Sequence, residues 1–591
     1  MAALFTTPKR NDKTSGAHFV EPDVHRRTLL AHGSWRRVTR RIVVGAVCAL
    51  TVSSLLMPSV SLAAEWVDVG GTQYNAGTAA GDEAGTWSWD GADDMKLNGY
   101  DGGAIGAAGK LNVSYEGNNT VTNDDGHGIK VKDGANENAE LNIQGDASST
   151  LNVTSSRDAI TSVGNINIDG AGTVNATSTE HDAIDAGDDV TIKGSGNVNA
   201  TGDSDGIRAD GNITIDNSGT VTAKATEDQG IDANENLIIK GGGKVEASSI
   251  KDNAIWADGN IEISGGSQVK ASSEEDTAID GKNSLTVTNA SLNASGVGYG
   301  IYVYKGITLD GATVTVRASS DGGEVSALFT DEDDIVIKNG STVDALAEGR
   351  FSVAISTSNF YSDEAGGHIY ISDSVVKAIA RYAETGGDGP DHYSNDQSGA
   401  VIPEHRGVNI GIFARTKEGI TPATISIVRS KVTAEGDTAA IFALAMSADG
   451  KAIGTIEIKD AIIQTPAGGK IIDYYRYEEE YGRGISYEVG QTIGTGDAVI
   501  DSPYNEAVAK STVIAPPEEI KPEEKPGETK PEGSKSEGTK TTKTVAVAAT
   551  GAKTTGKLAA TGDASNAAIV AAALAGTAAI AAGAVVSRKR S

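Results

Sequence analysis

Residues 182–200 read DAIDAGDDVTIKGSGNVNA, and residues 205–223 read DGIRADGNITIDNSGTVTA. Set one above the other, the two rows share their apolar positions and their turns. The isoleucine that opens each row recurs at Ile160, Ile184, Ile207, Ile231, Ile255, Ile279 and Ile301, at spacings of 24, 23, 24, 24, 24 and 22 residues. A sustained period of this length marks a repeat architecture. Each row holds three apolar–polar–apolar triplets, such as Ile207/Ala209, Ile213/Ile215 and Val221/Ala223. Alternation over three residues is strand period. Gly, Asn and Asp separate the triplets and permit sharp turns. No apolar run in the rows has helical spacing.

Three short strands and three turns per row predict an all-β chain, one coil of a single-stranded parallel β-helix per row, wound right-handed as parallel crossovers are. One coil cannot bury its isoleucines, whereas stacked coils bury them in a continuous column. A core of Ile, Val and Ala agrees with 38% hydrophobic and only 5% aromatic residues. Tandem sandwiches would need longer strands and units near a hundred residues. The opening markers run from Ile105 and Ile129 through Ile160 to Ile301, then Leu328, Ile355, Ile412 and Ile441. They predict about thirteen coils, a stack of roughly 60 Å at about 4.8 Å per layer.

Outward from the rows, residues 1–63 read as a signal peptide, with basic Arg36, Arg37, Arg40 and Arg41, an apolar run Ile42 to Met57, and a cut after Ala63. The single cysteine, Cys48, lies inside that run, so the exported chain has no disulfide and no thiol chemistry. Residues 64–104 are expected to cap the first coil. The β-helix is placed at 105–470, with a loop leaving the stack near 382–407, and a C-terminal cap at 471–510. Residues 511–557, rich in Pro, Glu and Lys, are expected to form an extended, disordered stalk. Residues 558–591 hold Leu558, Ala559, Ala560, Thr561 and Gly562, then an apolar run over 567–586 long enough to span a bilayer, then Arg588, Lys589 and Arg590. Beyond Ala64 the chain carries 41 basic and 77 acidic residues, a balance of −36. Such a surface repels a phosphate backbone, and no nucleic-acid partner is expected.

Function must lie in the residues that differ between rows. The middle residue of the first strand points outward, giving a column that includes Lys130, Thr161, Asp185, Arg208, Asp232, Trp256, Asp280, Tyr302, Phe329, Phe413 and Phe442. An indole between the Asp232 and Asp280 carboxylates suits a sugar ring, so Asp185, Arg208, Asp232, Trp256, Asp280 and Tyr302 are the candidate ligand contacts. A second acidic column occupies the preceding turn, at Asp158, Asp182, Asp205, Asp228, Asp252 and Asp276, with Asp210 and Asp258 in the following turn. Stacked carboxylates repel unless a cation lies between them, and calcium accepts such oxygen-rich sets. The same aspartates also read as turn formers.

The rows resemble a bacterial family of carbohydrate-binding right-handed β-helices, similar in fold to pectate lyases, over roughly Gly126 to Ala345. The resemblance implies binding of calcium and of an acidic polysaccharide such as polygalacturonate, without catalysis. The C-terminal segment resembles the cell-wall sorting signal of Gram-positive surface proteins, in the Leu-Ala-x-Thr-Gly variant, with Ala559 where the commoner motif has Pro. That implies sortase cleavage between Thr561 and Gly562, attachment to peptidoglycan, and transient membrane insertion through 567–586. Two alternatives remain open at this point. One is an adhesin for a host or partner protein, contacting it through the loop and neighbouring aromatics. The other is a polysaccharide lyase or hydrolase, with Arg208 as base or with Asp388, Asp391, His392, His405 and Arg406 of the loop supplying acid–base chemistry.

Overall fold

The computed structural model describes residues 63–135, 139–320, 324–358, 366–383, 408–416, 421–447, 450–480, 484–496, 500 and 505–517. The chain divides into a unit of residues 1–518 and a second of residues 519–591, the latter outside the described residues. The expected signal segment before Ala63, loop residues 384–407, the expected sorting motif at 558–562 and the apolar run 567–586 also lie outside them. No helix among the described residues is long and apolar enough to cross a membrane.

The described chain is a β-helix of three long, mostly parallel sheets, of 17, 16 and 15 strands counting the caps. Thirteen strands of the first sheet run from Ile105–Ala108 to Ala439–Ser447. The second sheet runs from Lys110–Glu116 to Thr455–Lys459, and the third from Asn118–Asn123 to Ile462–Thr465. Equivalent isoleucines stack in register, Ile184 on Ile207, Ile207 on Ile231 and Ile231 on Ile255. These residues are fully buried, as are Ile213 and Ile261 from the second sheet and Val221 from the third. Each buried isoleucine is worth about 1.5–3 kcal/mol of transfer free energy, which is what one isolated coil lacks. Asparagine ladders tie the outer faces: Asn167 Nδ2 donates to Asn142 Oδ1 at 2.9 Å, and Asn142 Nδ2 to Asn112 Oδ1 at 2.8 Å.

Antiparallel strands close both ends. At the start, Trp66–Val69 pairs antiparallel with Ile105–Ala108, and the Trp87–Trp89/Asp94–Asn98 hairpin joins the second sheet. Its Trp89, Met95 and Leu97 are buried over the first coil. At the end, the hairpin Lys470–Glu480/Gly484–Gly494 pairs antiparallel with Ala439–Ser447. Antiparallel closure leaves the parallel ladder no further strand of its own kind to recruit. One boundary differs from expectation. Ser511–Ala515, assigned by composition to the stalk, is a strand inserted antiparallel between Lys431–Gly436 and Ile462–Thr465. Its Thr512 and Ile514 are buried, and that burial outweighs the Pro- and Glu-rich sequence that follows.

Candidate functional site

The outer face of the first sheet carries the candidate residues, one per coil. Asp185, Arg208, Asp232, Trp256, Asp280 and Tyr302 are direct neighbours on successive strands. Beside them runs a turn ladder two residues before each isoleucine. It reads His127, Asp158, Asp182, Asp205, Gln229 and Asn253, and its backbones are hydrogen-bonded coil to coil. The expected single column of turn aspartates is therefore two. Asp228, Asp252 and Asp276 stand three residues before their isoleucines, out of line with Asp158, Asp182 and Asp205. Asp252 and Asp276 act as turn formers: Asp252 Oδ1 accepts from Asn253 N and Asp276 Oδ1 from Thr277 N, both at 2.7 Å. Asp228 is exposed.

Turn ladder and outward column converge at Asp158, Asp182 and Asp185, whose carboxylates each bring an oxygen within 4.8 Å of the others. Burial, then the charges of Asp185 and Asp158, push Asp182 up to about 7, against the backbone N–H of Asp205 that its Oδ1 accepts at 3.0 Å. Burial also pushes Asp158 upward, but His127, 3.1 Å away, and then His181 and Lys130 bring it below the ordinary carboxylate value. Lys130 Nζ lies 2.7 Å from His127 Nε2. Three converging carboxylates with water completing the shell fit a hard divalent cation such as calcium. His127 was missed in the rows, although its position two residues before Ile129 matches that of Asp158 before Ile160.

One coil further on, Arg208 lies among four carboxylates, Asp210 at 3.0 Å, Asp232 at 3.4 Å, Asp185 at 3.5 Å and Asp205 at 3.9 Å. Burial disfavours the charged guanidinium, and the charges of Asp185 and Asp210 more than reverse this, so Arg208 is held firmly cationic. It has no basic lone pair to offer a substrate proton. Asp205 is raised well above its ordinary value by burial and by Asp182 and Asp232, and burial lifts Asp232 to about 6 against the pull of Arg208.

Trp256 is half-buried rather than an open platform. Its Nε1 donates to Asp258 Oδ1 at 3.1 Å, and Lys282 Nζ sits 4.8 Å from the ring centroid while pairing with Asp258 at 2.5 Å. Asp210 and Asp258 thus each pin the outward side chain two residues earlier. Asp280 is pushed up to about 8 by burial first and then by Asp276 and Asp252. Tyr302 donates to Asp331 and stacks on Phe329, with ring centroids 5.5 Å apart and planes 11° apart. Neither Asp331 nor Lys282 was anticipated, because both belong to turns whose sequence does not repeat.

No family model, curated protein or solved structure matches the chain. The geometry therefore carries the functional reading by itself. It also removes one surface. Phe329, Phe413 and Phe442 are buried, and Phe442 packs edge-on against Tyr474 of the C-terminal hairpin with centroids 4.9 Å apart. Among the described residues, the cover over Phe442 thus comes from the cap. A second acidic group, Asp90, Asp93 and Asp94, lies in the N-terminal cap, where Asp90 Oδ1 caps the backbone of Ala92 and Asp94.

Proposed function

We propose that this is a glycan-binding surface protein that holds calcium at Asp158, Asp182 and Asp185 and, through it, an acidic polysaccharide lying along the groove toward Tyr302. The convergence of those three carboxylates carries the reading. A bound cation offsets the burial and the neighbouring charges that lift Asp182, and keeps open ligand positions for a uronate carboxylate. Arg208, charged and backed by four carboxylates, orients hydroxyl or carboxylate oxygens beside the metal, and the Trp256 edge and Tyr302 supply apolar contact. The protein acts by binding rather than turnover, a reading supported by the loss of Arg208 as a base. Export after Ala63 and sortase attachment at Leu558–Gly562 place the β-helix on the cell wall.

Retention of the full chain on immobilised polygalacturonate, with calcium and with EDTA, tests this. Calcium-dependent retention that Asp182→Asn weakens by tenfold or more is expected. Retention indifferent to EDTA, or none, overturns the cation-bridged reading, and growing unsaturated-uronate absorbance would assign a lyase instead. The adhesin alternative loses its aromatic contact surface through the burial of Phe329, Phe413 and Phe442.

A further inference from the structure

The outer face of the third sheet changes character along the stack. In the five strands Asn118–Asn123, Thr150–Ser155, Thr173–Ser178, Asn197–Thr201 and Thr220–Lys224, every outward side chain from Asn118 to Thr222 is Thr or Asn. Asp101 of the capping strand Asp101–Gly102 bounds these coils on one side and Lys224 on the other, and the strands beyond carry the Lys244–Glu246 and Arg317–Asp344 ion pairs. The second sheet is charged over the same early coils, with Lys96–Glu116 and Lys110–Glu140 pairs. An uncharged patch several coils deep is out of keeping with a chain that is 22% charged.

The patch is also rigid. Its strands are in continuous parallel register. Along its middle column Asn199 Nδ2 donates to Asn175 Oδ1, and Asn175 Nδ2 to Asn152 Oδ1, both at 2.8 Å. The ladder spends amide hydrogens internally and holds the column in fixed register. Flanking it are threonines, stiff at χ1, each offering a hydroxyl that donates and accepts together with a methyl. They repeat about every 4.8 Å from coil to coil and about 6.8 Å along a strand.

We propose that this face is a second docking surface, taking an extended neutral polysaccharide independently of any cation. Three features favour that occupant. The patch lacks charge, so a neutral partner loses no ionic hydration on docking, whereas a polyanion meets the repulsion of the −36 chain. The repeat of hydroxyls and methyls matches a polymer that presents hydroxyls and C–H faces at regular intervals. The asparagine ladder and threonines stiff at χ1 lower the ordering cost of a shallow contact. A second copy of the chain is disfavoured by the same net charge. This surface is on a different sheet from the carboxylate groove, so it stands or falls separately from the calcium reading.

The test retains the full chain on insoluble cellulose, chitin and mannan in EDTA. It compares wild type with Thr154→Glu and Thr154→Val, since Thr154 is exposed between Thr122 and Thr177. Retention on at least one neutral polymer is expected, unaffected by EDTA and by moderate salt. Thr154→Glu should weaken it tenfold or more by burying an unpaired charge, and Thr154→Val by a smaller factor. Circular dichroism and calcium-dependent retention on polygalacturonate should not change in either variant. No retention on any neutral polymer, or retention that Thr154→Glu leaves intact, overturns the proposal. A concentration-dependent dimer that Thr154→Glu dissociates would assign the face to a second copy.

Discussion

Asp280→Asn separates a proton from a shape. The carboxyl stands between Trp256 and Tyr302 on the outward column. Burial, then the charges of Asp276 and Asp252, raise it to about 8, with Lys282 opposing. An aspartate in the unfolded chain titrates near 3.9. The folded carboxyl therefore keeps a proton that the unfolded one releases across the intervening range. Its contribution to stability is full below about pH 4 and is lost as the pH rises through about 8. Roughly four pKa units at about 1.4 kcal/mol each set a ceiling of ~6 kcal/mol. Water around the half-buried group screens the charge, so we take about 2 kcal/mol as the size of the effect.

Asparagine keeps the shape of the protonated acid and cannot lose a proton in this range. Thermal unfolding in EDTA should give nearly equal midpoints for wild type and Asp280→Asn at about pH 4, and a higher midpoint for the variant at pH 9. At about 1–2 °C per kcal/mol for a chain of this size, the gap is a few degrees. Asp182 and Asp232 also carry raised values, to about 7 and about 6. They titrate in both proteins and cancel in the comparison. Parallel pH profiles, or a variant less stable at pH 9, would refute the placement of a protonated acid beside Trp256.

Arg208→Met should cost about 3–5 kcal/mol at pH 8 by stranding buried carboxylates. The loss should shrink toward pH 5 as Asp232, raised to about 6, takes up a proton, and hydrogen exchange across residues 205–233 would read it locally. Gly194 has φ +98°, and a Cβ there would stand 2.2 Å from Gly170 O, so Gly194→Ala should destabilise the stack by on the order of 1–3 kcal/mol in urea denaturation.

The coil count was legible because the inward positions recur: a parallel stack demands the same residue type at the same place in every row, and Ile184, Ile207 and Ile231 supply it. The caps were legible only as places where the pattern stops. Tyr474 over Phe442 is a ring contact across 32 residues of sequence without a repeat, and Ser511–Ala515 is five residues beside a Pro-rich run. In the candidate site, the outward column followed from alternation. The turn ladder did not, because one residue of slippage between Asp205 and Asp228 moves a carboxylate from groove to solvent while leaving the period intact. The partners of Trp256 and Tyr302, Lys282 and Asp331, sit in turns of varying composition, where spacing carries no information.

A parallel stack places equivalent side chains about 4.8 Å apart whether or not their charges agree. Rows of aspartate are therefore costly, and the chain relieves them in distinguishable ways. Arg208 interleaves a cation between Asp185 and Asp232. Asp280 takes a proton. The turn ladder abandons charge after Asp205, continuing as Gln229 and Asn253. At Asp158, Asp182 and Asp185 these devices are only partial. His127 and Lys130 lie on one side and Arg208 on the other, yet Asp182 still sits near neutrality. The place where protein-supplied compensation falls short is the place where an external cation gains most. That makes calcium uptake a competition with a proton on Asp182. Affinity should rise as the pH climbs through about 7 and level off above it. A calcium affinity flat from pH 5.5 to 8.5 would move the metal, and the glycan with it, to another part of the surface.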